Sequence, residues 1–498
     1  TIKKKFFSIK LKFFMTFRKD YLDNLIIKYL NNRNLEIAVS DSKNYTTEEF
    51  KNKVIQYKLR LEKIWGAGNK KKSRGVGILL ERNSDYIATI FAAWLAKGFY
   101  LPLSLNSPKK NINYQLKNSG ITALVSQKKN KINFSEHIGK KNKFPKIIKN
   151  NYKKIAYVIF TSGSTGEKKG VCISRENLIS YLKGIKTIFN KKFKSKSVLI
   201  NGELTFDISS ADLVFALLYG CEIILTSDSR NLLSFFSKLE ERKAESIYVV
   251  PSTLEKIINF SGKYKNVSLK HLKQLNCGGE ILSYNLLKKI KKKIPKAKIY
   301  NFYGPTEFTI NATCYKVDIK KKQKKTVPIG KLLPGNKYFL KKNRKDEDRG
   351  ELYLSGKQKM LGYVNYKNPT KIVNGREFYP TGDIVSLDKK KNFIFCGREK
   401  DYIKVSGYRI NLNRIENILK AGTSLSCAIA VKNGKIILFI ISNKKEKKLI
   451  LNKLQVLFLN KLESYETPNK TIFLKNFPFN NSGKIDKNKL IQKIWYNE

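Results

Sequence analysis

The segment YVIFTSGSTGEKKGV, which spans Tyr157–Val171, joins an apolar run to a loop of glycines, hydroxyl side chains and lysines. The apolar run Ile155–Phe160 predicts a buried strand, and a second apolar run, Val171–Ile173, follows the loop. Glycines let the backbone approach an anion closely, while hydroxyls and lysines supply hydrogen-bond donors and charge. No Gly-Lys-Ser/Thr follows at Walker A spacing, and an ordinary turn between strands is the alternative. The predicted polyphosphate loop comprises Thr161, Ser162, Gly163, Ser164, Thr165, Gly166, Lys168 and Lys169.

The composition indicates a folded protein with an extreme positive charge. Of 498 residues, 41% are hydrophobic and 12% aromatic, which is typical of a globular protein with two or more domains. The formal net charge is +61. Because the lysines are scattered and no nucleic-acid motif accompanies them, we interpret the charge as compositional. We expect weak, salt-sensitive binding of polyanions and no binding of a specific nucleic acid. The alternative is a degenerate protein that has lost enzymatic activity and binds nucleic acid through this charge.

Cysteines, histidines and apolar runs argue against several classes of protein. None of the six cysteines forms a CxxC pair, which disfavours a zinc site or a disulfide framework and favours a cytoplasmic location. Two histidines, His137 and His271, are too few for a metal cluster. No apolar run is long enough to predict a transmembrane segment. Residues 1–14 are basic and aromatic; we interpret them as an extension before a folded chain that begins near Met15, with a membrane-surface segment as the alternative.

Alternating strand and helix patterns predict parallel sheets covered by helices. The lysine-rich stretch 127–154 interrupts this pattern and is expected to be a surface excursion. The expected fold class is α/β, with a large N-terminal domain of helix-covered sheets, 15–398, and a small mobile α+β C-terminal domain, 400–498. Short strands and Pro-Gly and Asn-Gly turns predict a small barrel-like or antiparallel subdomain at about 330–397, within the large domain.

One string places a carboxylate where it needs a partner. Asp207 lies between Phe206 and Ile208 at the start of an apolar helix pattern. A carboxylate among apolar residues is costly unless it meets a cation, and a substrate ammonium would serve. A helix N-cap is the alternative.

Three further strings carry residues suited to a nucleotide. In NFYGPTE, residues 301–307, Tyr303 offers a flat face for a base, while Thr306 and Glu307 offer oxygen ligands for Mg²⁺. In YPTGD, Asp383 at a turn could accept both ribose hydroxyls, although a plain β-turn is the alternative. In NNSGKID, Lys484 lies on a Ser-Gly turn and could be one more surface lysine.

A last string, GREKD at 397–401 with KVSGYR at 404–409, has the glycines and mixed charges of a hinge or of an ordinary linker.

Together and in this order, these strings resemble the adenylate-forming (AMP-binding) superfamily, which includes acyl- and aryl-CoA synthetases, luciferases and nonribosomal peptide synthetase adenylation domains. The resemblance extends from about Leu22 to Trp495. Phe206-Asp207, YGPTE at 303–307 and CGGE at 277–280 are most similar to stand-alone amino-acid adenylation enzymes, D-alanine:carrier-protein ligase or peptide synthetase adenylation domains. The hinge residue Lys400 points the other way, because acyl-CoA synthetases often have Lys there and peptide synthetases usually have Asp.

The resemblance implies an ATP-dependent carboxylic acid–thiol ligase that produces AMP and diphosphate. The implied substrate is an amino acid, expected to be small because Tyr248 and Phe302 would fill its pocket. ATP and Mg²⁺ are the implied cofactors. The implied acceptor is the phosphopantetheine thiol of a separate carrier protein, or CoA. The alternative is an acyl-CoA synthetase for a fatty or aryl acid.

The resemblance also implies roles for individual residues. Lys484 would bridge the attacking carboxylate and the α-phosphate, and the small domain would then rotate about Lys400 to place Gly407 at the site for thiolation. The implied catalytic residues are Lys484, Glu307 and Thr306, with Glu307 as the metal ligand. The implied nucleotide site comprises the loop 161–169 with Gly279, Glu280, Asn301, Tyr303, Gly304, Thr306, Asp383 and Arg398. The implied acid pocket comprises Asp207, Ile208, Ala211, Tyr248, Leu275, Cys277, Phe302, Ile310 and Asn311.

Overall fold

The computed structural model describes most of the chain beyond the first nineteen residues. The described ranges are 20–66, 73–129, 131–137, 145, 147–148, 152–162, 168–189, 195–229, 231–263, 268–318, 326–342, 348–398, 402–405, 407–423, 425–442, 446–478 and 485–492. The expected extension 1–14 lies outside them, as do Lys400, Lys484 and residues 163–167 of the phosphate loop. The strands within these ranges form five sheets.

The largest sheet has a parallel centre and antiparallel edges. Its central strands are buried on both faces, which is why they read as short continuous apolar runs in the sequence. In spatial order, the strands are Lys331–Leu332, Thr313–Lys316, Lys298–Tyr303, Gln274–Gly278, Ser246–Val249, Ser197–Ile200, Glu222–Leu225, Ile37–Ser40 and Asn44–Thr46.

A second, seven-stranded sheet contains the strand predicted before the phosphate loop. In spatial order, its strands are Gly362–Tyr363, Lys168–Ser174, Ile155–Ser162, Phe99–Pro102, Gly75–Leu79, Ala123–Lys128 and Lys131–Glu136. The last strand corrects the expected surface excursion at 127–154. Only Ile132 and Phe134 pack against the core from this edge strand. Apolar residues therefore occur at alternate positions on one face only, and the exposed residues between them obscure the pattern.

Helices cover both sheets and follow the predicted pattern closely. Thr46 caps the helix Thr47–Trp65 through a capping box with Glu49, as its sequence indicates. The helices are Tyr21–Leu30, Thr47–Trp65, Ser84–Leu95, Lys109–Ser119, Arg175–Phe189, Asp207–Tyr219, Leu232–Glu241, Pro251–Lys263, Tyr284–Lys293, Leu412–Thr423, Lys447–Lys461 and Lys487–Gln492. Short 3₁₀ helices are Tyr152–Lys154, Thr306–Phe308 and Ser464–Glu466.

The helix Asp207–Tyr219 lies in a core that both large sheets share. Its residues Leu213, Val214 and Ala216 belong to the same buried cluster as Val198 of the nine-stranded sheet and Tyr157 of the seven-stranded sheet. The two sheets therefore pack on opposite sides of one buried helix, and the first turn of that helix lies where the sheets meet.

The remaining sheets confirm the smaller units that the sequence predicts. An antiparallel five-stranded sheet comprises Asn336–Lys341, Arg349–Gly356, Lys371–Val373, Arg376–Leu387 and Phe393–Arg398. The small C-terminal domain is α+β and contains the hairpin Tyr402–Val405 and Tyr408–Asn411, and a sheet of Cys427–Lys432, Lys435–Ile441 and Lys470–Leu474. The expected boundary at 399–401 lies outside the described ranges. None of the described helices is both long and apolar enough to cross a membrane.

Candidate active site

A cavity lies where the two large sheets, the five-stranded sheet and the small domain meet. Residues from nearly every predicted string reach it, although they are spread over 300 positions of the sequence. The lining residues are Ile159, Phe160, Thr161, Thr205, Phe206, Asp207, Ile208, Tyr248, Gly279, Gly304, Pro305, Thr306, Glu307, Ile310, Asn311, Asp383, Arg398, Gly407 and Tyr465.

Asp383 and Arg398 line one wall of the cavity and form a buried polar group with Tyr303, which does not itself line the cavity. Arg398 Nε lies 2.5 Å from Asp383 Oδ1, and the Tyr303 hydroxyl donates to Asp383 Oδ2 at 2.6 Å. Arg398 also donates to the Thr381 carbonyl at 3.1 Å. Burial raises the pKa of Tyr303 well above its ordinary value, so the phenol stays a donor. The ring of Tyr303 and the carboxylate of Asp383 are therefore held in fixed positions.

Glu307 supplies a buried carboxylate beside this group. Its side chain is held by the Tyr363 hydroxyl, which donates to Glu307 Oε1 at 2.8 Å. Burial raises the pKa of Tyr363, which keeps the hydroxyl protonated. Within the described ranges, no three His, Cys, Asp or Glu side chains cluster to hold a metal. Mg²⁺ is commonly bound by one or two carboxylates plus substrate phosphates, so a single carboxylate lining the cavity beside Thr306 fits that ion.

The backbone after Glu307 is strained. Thr309 and Ile310 both have positive φ, 54° and 68°, which β-branched residues rarely adopt. Gln358 holds this segment by accepting from Thr309 Oγ1 at 2.5 Å through its carbonyl and by donating to the Asn311 carbonyl at 2.8 Å. A Cβ at Gly304 would lie 2.4 Å from the Ile310 carbonyl oxygen, so only glycine fits there. No motif in the sequence singled out Gln358.

The predicted acid pocket contains Asp207 and a chain of hydrogen-bonded polar side chains. Asp207 is the first residue of its helix, and Phe206 takes the N-cap position, so the N-cap alternative for Asp207 is wrong. The Tyr248 hydroxyl donates to Asn311 Oδ1 at 2.8 Å, and Asn311 Nδ2 donates to the Tyr181 hydroxyl at 3.1 Å. Burial raises the pKa of both tyrosines, which therefore remain neutral. Tyr181 comes from a helix that carried no functional signal.

Two of the predicted pocket residues, Leu275 and Cys277, lie on the face of the nine-stranded sheet opposite to that of Tyr248. Tyr248 pairs with Asn276 and packs into the core shared with Phe302. Leu275 and Cys277 belong instead to the core on the opposite face. Because side chains alternate along a strand, Asn276 and Gly278 take the positions that face Tyr248. The assignment of Leu275 and Cys277 to the acid pocket is therefore corrected.

The other predicted residues divide between the cavity and its supports. Ile208, Ile310 and Asn311 line the cavity, whereas Ala211 and Phe302 are buried behind it. Asn301 donates to the Pro328 carbonyl at 2.8 Å and lines no wall of the cavity.

On the phosphate side, Thr161 lines the cavity. Lys169 lies over the Tyr366 ring, 4.1 Å from its centroid. The rest of the predicted loop between Thr161 and Lys168 either lies outside the described ranges or, for Ser162, is described by its backbone alone.

The small domain reaches the cavity through Gly407 and Tyr465. The Gly407 amide donates to Glu280 Oε1 at 2.7 Å. Gly407 has φ of +86°, and a Cβ there would lie 2.7 Å from Val250 Cγ1, so this close approach requires glycine. Tyr465 stacks on Tyr408 with 4.0 Å between ring centroids. Glu280, predicted beside the adenine, thus contacts the small domain in this arrangement.

Glu463 and Lys168 form a further contact between the domains. The Lys168 ammonium is ion-paired with the Glu463 carboxylate, which also accepts from Ser107 Oγ at 2.6 Å and Asn111 Nδ2 at 2.8 Å. The sequence singled out Lys168 but not Glu463.

Comparisons with known proteins show the family and the fold of the chain. The AMP-binding enzyme family matches residues 30–364. Zwittermicin A synthase ZmaJ of Bacillus cereus is 28% identical over 485 residues, which is 91% of each chain. The chain spans 17% of the length of three longer synthase subunits that it also matches.

Solved structures share the fold. The Vibrio cholerae adenylation domain AlmE, in complex with glycyl-adenosine-5'-phosphate, matches with a TM-score of 0.78 at 20% identity, over 97% of this chain and 99% of AlmE. Holo-PA1221, an NRPS protein containing adenylation and PCP domains, matches with a TM-score of 0.75 at 20% identity, over 94% of this chain and 84% of that chain. With the family matching more than half of its residues, the chain belongs to the AMP-binding enzyme family and is an adenylate-forming ligase that activates an acid with ATP.

Proposed function

We propose that this ligase activates a small α-amino acid and passes it to the phosphopantetheine thiol of a carrier protein. The observation that carries the proposal is the position of Asp207. Its carboxylate is 8% exposed and lines the cavity beside Tyr248 and Ile208. A buried carboxylate at this position favours a substrate with an ammonium group, because the cation repays part of the cost of burying the charge.

The first step forms the aminoacyl-adenylate. A carboxylate oxygen of the amino acid attacks the α-phosphorus of ATP, a new P–O bond forms, and pyrophosphate leaves with the electrons of the broken P–O bond. We assign ribose binding to Asp383 and Arg398, base contact to Tyr303 with Gly279 and Gly304, and phosphate binding to the loop 161–169. Because little covalent chemistry falls to the protein, positioning and charge supply most of the catalysis.

We assign Mg²⁺ to Glu307 with Thr306. The ion would neutralise charge on the phosphates when bound there. Tyr363 holds the Glu307 carboxylate towards the cavity and so positions the ligand.

The second step transfers the acyl group to a thiol, and the described orientation of the small domain suits it. Gly407 and Tyr465 line the cavity, while Ile485, next to Lys484, packs in the small domain's own core and does not line it. We therefore assign the first step to a different orientation, in which Lys484 reaches the reacting carboxylate and the domain turns near Lys400. In the second step the thiolate attacks the carbonyl carbon, and AMP leaves.

A route for the thiol lies between the two domains. A cavity of ≈ 480 Å³ is lined by Val250, Ser252 and Lys256 of the large domain and by Gly407 and Lys435 of the small one. Tyr248 and Ile208 line both this cavity and the active site, so the two cavities adjoin. A flexible arm with a terminal thiol fits such a passage. PA1221 contains a PCP domain beside its adenylation domain, which supports a carrier protein as the acceptor here.

The proposed substrate is small because the floor of the pocket is occupied by the Tyr248–Asn311–Tyr181 chain of hydrogen bonds. AlmE was solved with a glycyl-adenylate, which supports a side chain of this size. D-alanine is the finer candidate that the resemblance suggests. One methylene changes specificity by only about 1–3 kcal/mol, so related small amino acids should compete.

The test is ATP–pyrophosphate exchange with D- and L-amino acids and their deamino and hydroxy analogues. We expect exchange only with compounds that carry the α-ammonium, and the fastest exchange with the smallest side chains. Equal exchange with deamino or hydroxy acids would overturn the amino-acid assignment and favour an acyl-CoA synthetase. Transfer of the acyl group to a phosphopantetheinylated carrier or to CoA would then identify the acceptor.

A further inference from the structure

The Glu463 side chain reaches from the small domain into the large one. It is 4% exposed, and its carboxylate meets the ammonium of Lys168, the hydroxyl of Ser107 and the amide of Asn111. All three partners lie in the large domain. The contact is a complete carboxylate-binding site, unlike an incidental surface ion pair.

The same contact sets the position of Tyr465. Glu463 precedes the 3₁₀ helix Ser464–Glu466 and forms a capping box with Glu466. Glu466 is itself 1% exposed and ion-paired with Arg414 of the helix Leu412–Thr423. These contacts hold both ends of the segment, so a carboxylate anchored to Lys168 also positions the ring of Tyr465 that lines the active site.

The electrostatics keep Glu463 ionised. Burial by itself would raise the pKa of its carboxyl, but the Lys168 ammonium and the hydrogen bonds from Ser107 and Asn111 outweigh it and hold the pKa below the ordinary value. A buried charge of this kind becomes costly if its cation is taken away.

Lys168 is also one of the two lysines, with Lys169, that the sequence predicts to bind the phosphates of ATP. It directly follows the loop 163–167, and with Phe160 and Tyr465 it lines a small cavity next to the active site. A triphosphate or pyrophosphate carries several negative charges and competes with Glu463 for this ammonium. When a phosphate group binds Lys168, the buried Glu463 carboxylate loses its ion-pair partner. The docked orientation of the small domain is then destabilised.

We propose that Glu463 is a positioning residue that holds the small domain in the thiol-transfer orientation by pairing with Lys168, and that ATP or pyrophosphate releases it. This competition would set the order of the two half-reactions, adenylation first and thiol transfer second. The domain is free while phosphates occupy the loop and docks once pyrophosphate has left. The inference rests on the proposed function for the second step, and on Lys168 serving the phosphates.

The test uses Glu463→Gln, which keeps the shape and one hydrogen-bond acceptor but removes the charge. The control is Glu176→Gln, whose partner Lys357 forms an exposed ion pair, with side chains 71% and 75% exposed. We expect Glu463→Gln to bind magnesium pyrophosphate about tenfold more tightly by calorimetry, because no ion pair has to be broken first. Acyl transfer from a preformed adenylate should become about tenfold slower as the docked orientation is depopulated. The control should change neither value.

A damaged fold could slow transfer but could not tighten pyrophosphate binding, so the two measurements separate positioning from structural loss. Unchanged or weaker pyrophosphate binding in Glu463→Gln would overturn the proposal. Hydrogen exchange on the wild type adds a readout without turnover: magnesium pyrophosphate should raise exchange of the amides 462–467, and no change there would also overturn it. Both binding and exchange can be measured even if no amino acid proves to be a substrate, so failure of the proposed function would be recognised separately.

Discussion

Arg398 Nε lies 2.5 Å from Asp383 Oδ1, across two adjacent strands of the five-stranded sheet. The side chain of Asp383 is 7% exposed and that of Arg398 is 13% exposed, and the Tyr303 hydroxyl donates to the second carboxylate oxygen of Asp383. This relationship ties the strand that ends the large domain to the wall of the active site. It also means that the carboxylate proposed to bind ribose and its support by Arg398 can be tested by one substitution.

Replacing Asp383 by Asn should weaken ATP binding and the fold together. Arg398 would keep its place but lose its carboxylate partner, and breaking a buried pair typically costs about 3–5 kcal/mol of unfolding free energy. The KM for ATP in pyrophosphate exchange should rise about tenfold or more, since a hydrogen bond to a charged group is lost. Urea denaturation and exchange kinetics measure the two effects. The control is Glu377→Gln, on the same strand, because Glu377 is 58% exposed and forms a surface ion pair. This substitution should change neither the free energy of unfolding nor the KM for ATP.

Replacing Lys484 by Ala should separate the half-reactions. Loss of one preorganised charge typically costs about 3–4 kcal/mol, so adenylation should fall about 10²–10³-fold, while transfer from a preformed adenylate continues. Lys487→Ala is the control, because Lys487 lies three residues away and is ion-paired with Glu416 at 2.8 Å. Normal adenylation by Lys484→Ala would show that the assigned role is wrong.

Replacing Asp207 by Asn should remove the preference for amino acids. The ammonium would meet a neutral amide, and we expect kcat/KM for the amino acid to fall about 100-fold while that of its deamino analogue changes little. A parallel loss for both substrates would contradict an ammonium contact. Asp212→Asn, five residues along the same buried helix, is the matched control. Burial raises the pKa of Asp212 well above 3.8, which favours the neutral carboxyl, and Asp212 does not line the cavity, so its replacement should leave exchange kinetics unchanged.

The same Asp212 variant predicts a difference in pH dependence. A carboxyl whose pKa is raised on folding binds more protons in the folded state than in the unfolded one. Its stabilising contribution is complete below the unfolded pKa of 3.8 and is lost as pH rises towards the folded pKa. As pH rises above 3.8, the wild type should therefore lose stability relative to Asp212→Asn, by at most about 1.4 kcal/mol per pH unit. Urea denaturation across this range measures the slope, and parallel curves would mean that Asp212 is ionised in the folded protein.

Local sequence patterns predict many of the helices and strands of the fold. The helix at 47–65 follows from its capping box, and the central strands follow from short apolar runs that are buried on both faces. The strand Lys131–Glu136 was missed because only Ile132 and Phe134 face the core, so lysines dominate its composition. Edge strands of this kind are hard to recognise, since one exposed face removes half of the apolar signal.

Several residues that the sequence predicts for the site lie together in the structure, while their roles stay predictions. Asp207, Thr306, Glu307, Asp383 and Arg398 all line a single cavity. Gln358 and Tyr181 were missed because a buried amide and a buried phenol have no local signature. Their roles depend on partners that are more than forty positions away in the chain.

By itself, the sequence determined the strand before the predicted phosphate loop and the residue types that the loop contains, because these depend on neighbouring side chains. Only the tertiary structure decided that Asn276 and Gly278 face Tyr248 while Leu275 and Cys277 do not. Side chains alternate along a strand, so a shift of one residue in strand register exchanges the two faces, and register is set by pairing with a distant strand. The meeting of Lys168 with Glu463, 295 residues apart, depends in the same way on how the two domains dock.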